Sequence, residues 1–88
     1  MARYDVAQLE ESAFAGPSGG DVLLKLGLMY SSGGSIPADR VAAHKWFNIA
    51  ASKGNRDAVR LRRELAEEMT PAEIAAAQRA AREWLTTH

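Results

Sequence analysis

Residues 20–55 read GDVLLKLGLMYSSGGSIPADRVAAHKWFNIAASKGN, and the pattern of this stretch decides the fold. Asp21 is expected to cap a helix from Val22 to about Ser31 that carries Leu23, Leu24, Leu26, Leu28, Met29 and Tyr30. So apolar a run also suits a buried strand. Its Leu and Met content, the preceding cap and the lack of a β-branched residue beyond Val22 favour helix. Gly27 inside it costs about 1 kcal/mol relative to Ala, a cost that points to close approach by a neighbouring backbone or a bulky ring. Ser32-Gly33-Gly34-Ser35 ends the helix, with the two glycines supplying positive φ, and Ile36-Pro37 continues the loop. Asp39 then caps a second helix, about Arg40 to Lys53. Its apolar stripe is Ala42, Trp46, Ile49 and Ala50, edged by Ala43 and Phe47. Lys53 complements the negative helix end, and Gly54 supplies a left-handed cap.

Working outward, Asn55 or Asp57 opens a third helix that ends near Met69, with Ala58, Leu61, Leu65 and Met69 on one face. Thr70-Pro71-Ala72-Glu73 is a strong helix start. The Thr70 hydroxyl can take the third amide, Glu73 can reach back, and Pro71 stands where no amide is needed. Ile74, Ala77, Ala81 and Trp84 mark one face of the last helix, which runs to about Thr86. On the N-terminal side, Asp5 to Ala15 reads as a short helix with Val6, Leu9 and Ala13 at helical spacing. Gly16-Pro17 stops it and Ser18-Gly19-Gly20 forms a joint. Short joints force antiparallel helix pairs. The expectation is an all-α chain, an antiparallel α/α helix-hairpin solenoid fragment of four to five helices, divided into an N-terminal segment 1–18 and a repeat domain 19–88.

The pairs Gly20-Asp21 and Gly54-Asn55 recur at a spacing of 34, each before a helix, and that is a helix-pair repeat period. Between them stand Leu26-Gly27, Met29-Tyr30, Gly33-Gly34, Pro37-Ala38-Asp39, Ala43, Trp46-Phe47 and Ala50-Ala51. In this order they resemble one complete Sel-1-like repeat, a relative of the tetratricopeptide solenoids. The likeness covers about Gly20 to Asn55, with a weaker second unit opening at Ala58. The tail from Thr70 to Leu85 is similar to the terminal helix that follows such repeats in some bacterial proteins. The chemistry of the motif is packing: Gly27 leaves room for Trp46 or Phe47, and Ala50 and Ala51 allow a second close approach toward the third helix. The resemblance implies an adaptor or scaffold for protein complexes, with no catalytic residues to carry over.

Composition narrows the field further. Eleven basic and eleven acidic side chains cancel, so the whole chain offers no net field to nucleic acid or anionic lipid. The absence of cysteine removes disulfides, thiolate zinc sites and thiol nucleophiles. The opening residues lack the basic-then-apolar layout of a secretory signal, and no apolar run nears the roughly 20 residues that cross a bilayer. The expected location is cytoplasmic. A chain of 88 residues with neither disulfide nor metal gains little from one core, which makes a partner surface plausible on physical grounds.

His44 falls outside the apolar stripe of its helix and lacks a second ligand at metal-binding spacing, so a solvated side chain is expected. Arg56, Arg60 and Arg63 lie on one side of the third helix, with Arg62 nearby. A phosphate patch is one reading. Pairing of Arg60 with Glu64 and of Arg63 with Glu67 favours a solvated, charge-laced face. Recognition of an acidic protein surface stands between the two. Glu67 and Glu68 point about 100° apart on a helix and do not make a catalytic pair. No serine has a His-acid arrangement, and Gly33-Gly34 precedes no Lys-Ser/Thr pair. No enzyme, cofactor, metal or small-molecule substrate is expected. The apolar residues hardest to bury, Val6, Leu9, Leu24 and Leu28, are the expected docking end for another protein. Self-association through the same end is the alternative, and hydrolase activity a remote one.

Overall fold

The computed structural model describes residues 19–88. The expected helix from Asp5 to Ala15, and with it Val6 and Leu9, lies outside the described residues. Four helices follow in order: α1 (Gly19–Ser32), α2 (Arg40–Ser52), α3 (Arg56–Ala66) and α4 (Pro71–Thr87). Among the described residues all regular structure is helical.

The α1 helix begins at least by Gly19, two residues ahead of the expected cap. Asp21 therefore sits in the first turn, where its charge favours the positive helix end. At the other end the Ser31 and Ser32 hydroxyls donate to the carbonyls of Leu28 and Met29. Gly33 then adopts φ 69°, and Gly34 is not in the left-handed region, so one glycine and not two makes the turn. Asp39 N donates to Tyr30 O at 2.9 Å, which closes the loop and sets the start of α2 beside the end of α1.

Asp39 caps α2 through Oδ1, which accepts from Ala42 N at 3.0 Å. Gly54, at φ 94°, ends it. Asn55 caps α3 through its side-chain oxygen, accepting from Ala58 N at 3.0 Å. The α3 helix stops at Ala66, short of Met69; a turn follows, and Thr70, the residue before Pro71, is held out of the helical region. Thr70 takes φ −75° and ψ 157°, caps α4, and forms the complete reciprocal box with Glu73. Met69, released from the helix, turns inward and is 8% exposed.

The central element is α2. The other three helices make their main approach to it, while α3 and α4 come little against each other. One buried cluster holds Leu23, Leu26, Trp46, Ile49, Ala50 and Ala58 with Ala81 at its edge. A second holds Ala43, Phe47, Leu65, Met69 and Ala77. Gly27 makes the α1–α2 contact possible. A Cβ built on it would overlap Cδ1 and Cε1 of Phe47 far inside contact distance. Phe47, not Trp46, fills the gap. Trp46 instead meets Trp84 of α4 edge to face, with ring centroids 5.5 Å apart.

Because three neighbours surround α2, its buried surface is wider than one amphipathic stripe. His44 is 2% exposed, which overturns its assignment to solvent. A stripe rule assumes one packed face, and α2 has packing around most of its circumference.

Candidate interaction surface

The helix face that buries His44 also carries Asn48 one turn later, and the two side chains meet at 3.3 Å (Asn48 Nδ2 to His44 Nδ1). Arg62 of α3 reaches across and donates from Nη1 to Asn48 Oδ1. That bond fixes the Asn48 amide. With Oδ1 turned to the arginine, Nδ2 must donate to the imidazole, so Nδ1 is the acceptor and Nε2 carries the proton. Burial, and after it the positive charge of Arg62, hold the His44 pKa below its usual 6.5. The imidazole is therefore neutral near pH 7.

Above this trio α3 and α4 diverge. Both rest on α2, and the space between them is a cleft with two lobes of about 460 and 400 Å³. Asn48, Val59, Arg62 and Gln78 line both lobes and make them continuous. One lobe ends at Ala81, Arg82 and Leu85, the other at His44, Arg63 and Ile74. Arginine supplies the charge there, since no aspartate or glutamate lines either lobe. Leu85 is 39% exposed at the rim, one of two large apolar side chains so open among the described residues.

The other is Leu28, 41% exposed on α1. Leu24 differs from it: half-buried, it packs against both clusters and so belongs partly to the core. The three arginines expected to share a face separate. Arg63 turns to the cleft, whereas Arg56 and Arg60 are exposed and do not line it. Arg60 pairs with Glu64 at 3.1 Å, both side chains well exposed, which is worth a fraction of a kcal/mol. The expected Arg63–Glu67 pair does not form; Arg60–Glu64 is the ion pair found among the described residues.

The cleft was not legible in the sequence, although one signal pointed toward it. His44 and Asn48 stand four residues apart on a helix, and such spacing places two polar side chains side by side. The repeat-motif residues form the scaffold beneath. Leu26, Gly27, Ala43, Trp46, Phe47 and Ala50 are buried, and Tyr30 and Ala51 are partly so. Asp39 serves as a cap, while Gly33 and Gly54 make the two left-handed turns. Among the described residues no three His, Asp or Glu side chains gather as metal ligands, and no helix is long and apolar enough to cross a membrane.

No family model matches the chain, and no curated protein and no solved structure matches it either. What stands is a small chain whose described residues form four helices, with an arginine-lined cleft between the last two.

Proposed function

We propose that this chain is a protein-interaction module, a small adaptor or accessory subunit built on a Sel-1-like helix-pair repeat. The observation that carries the reading is the seat of Phe47 on the bare backbone of Gly27. A glycine kept in the middle of a helix, at a cost in helix propensity, has its reason in the ring that occupies the space. Further support is the side-chain bond between Asn55 and Asp21, which joins the two positions that recur at the repeat spacing. In this reading α1 and α2 form one antiparallel hairpin of a solenoid and α3 opens the next. The module's work is binding in the cytoplasm, without cofactor, metal or small-molecule substrate.

Affinity capture from the native cell with the full chain as bait, quantified by mass spectrometry, tests it. One protein enriched in fixed proportion is the expected result. A bait recovered alone at native expression overturns the reading. The alternative reading is self-association, with another copy of the chain docked at the end that carries Leu28. Light scattering across a concentration series separates the two, because self-association raises the mass without any added protein.

A further inference from the structure

The cleft between α3 and α4 has a chemical character that the interaction-module reading leaves open. Its charged lining is wholly cationic, from Arg62, Arg63 and Arg82, in a chain whose net charge is zero. Its walls are apolar, from Val59, Ile74, Ala81 and Leu85. Its floor holds the buried imidazole of His44. Asn48 occupies Nδ1, and no buried side-chain nitrogen or oxygen among the described residues lacks a partner. The Nε2–H, without an acceptor among the described residues, therefore keeps some exposure, and His44 shares the lining of one lobe with Arg62 and Arg63.

We propose that this cleft binds an acidic, amphipathic peptide segment of a partner protein. One carboxylate sits in the lobe formed by His44, Arg62 and Arg63. The segment's apolar side chains cover Val59, Ala81 and Leu85. Donors converging on one lobe suit a carboxylate, which takes charge-assisted bonds from guanidinium and N–H together. The apolar walls suit a peptide better than a nucleic-acid strand, whose phosphates need a cationic track and whose bases need aromatic platforms. No phenylalanine, tyrosine or tryptophan lines the cleft. The proposal rests on the interaction-module reading and names where and what that module binds.

The test is a nitrogen-15 chemical-shift titration of the full chain with three probes. Two are synthetic peptides with leucines at helical spacing, filled with glutamate in one and lysine in the other. The third is a single-stranded oligonucleotide. The glutamate peptide is expected to move the amides of Asn48, Val59 and Gln78, and to bind more weakly as salt rises. Its affinity is expected to fall about tenfold or more in Arg62→Gln/Arg63→Gln, the loss of about 1.4 kcal/mol or more that a tenfold change represents. Arg62 also holds Asn48, so Arg63→Gln/Arg82→Gln serves as a second variant whose side chains carry no core hydrogen bond. It too is expected to bind more weakly, at an unchanged melting temperature.

Equal binding of the lysine peptide, preference for the oligonucleotide, or cleft signals that move with protein concentration alone would each overturn the proposal. So would unmoved cleft amides with the glutamate peptide at saturation of its solubility. The fate of the module is read separately. A native partner captured equally by wild type and by both arginine variants leaves the module standing and removes the cleft.

Discussion

Phe47 lies with its ring edge where the side chain of Gly27 would be, and no residue larger than glycine fits at position 27 without moving it. The ring is 1% exposed and belongs to the cluster that joins α2 to Leu65, Met69 and Ala77. It has nowhere to retreat. Gly27→Ala is therefore expected to destabilise the chain by about 1–3 kcal/mol through overpacking, against the roughly 1 kcal/mol that alanine gains in helix propensity. Urea denaturation followed by circular dichroism reads the net sign. A stabilised Gly27→Ala variant contradicts the packing argument.

The side chain of Asn55 has two tasks, capping α3 through its oxygen and donating from Nδ2 to Asp21 at 3.0 Å. Asn55→Ala removes both and is expected to cost about 1 kcal/mol or somewhat more. Asn55→Asp keeps a good cap but sets a second carboxylate against Asp21. Its cost at neutral pH is expected to shrink when Asp21 is also changed to Asn. A double-mutant cycle measured by thermal denaturation isolates that repulsion.

His44 makes stability depend on pH in a defined direction. Its folded-state pKa lies below the 6.5 of the unfolded chain, because burial and then Arg62 disfavour the imidazolium. As pH falls through 6.5 the unfolded chain takes up a proton that the folded chain refuses, and stability declines. The decline ends once pH passes the lowered folded value. Above about 6.5 the contribution is complete. The urea midpoint is expected to drop between pH 7 and pH 5. His44→Leu should show a smaller drop over that range, whatever its stability at pH 7. An identical slope in both proteins would count against a neutral buried imidazole.

The reciprocal bonds between Thr70 and Glu73 fix where α4 begins. Thr70→Ala is expected to cost about 1 kcal/mol, in the range for loss of an N-cap side chain. Glu73→Gln, which keeps a capping-box side chain, is expected to cost less. Hydrogen exchange adds a local readout, since the amide of Glu73 should lose protection in the alanine variant while the core amides of α2 keep theirs.

Local signals carried much of the fold. Asp39, Asn55 and Thr70 each stand immediately before a helix and each cap it, because a short polar side chain meets free amides within a few bonds of its own backbone. The faces Ala58-Leu65 and Ala77-Ala81 followed from spacing alone, since a residue's position around a helix is fixed by its place in the chain. The reading went astray where the answer depended on neighbours. Asp21 stood in the first turn and not at the cap, and it found its partner 34 residues away.

What the sequence determined by itself was thus the number of helices over residues 19–88, the caps that open α2, α3 and α4, and the apolar faces of α3 and α4, all properties set within a turn or two of chain. Which residue would fill the space over Gly27, Trp46 or Phe47, was decided only when α2 took its rotation against α1. The burial of His44, the Asn48–Arg62 bond and the open cleft had the same origin. They arise because three helices share one central helix while α3 and α4 stand apart, a relation between distant segments that no local pattern contains.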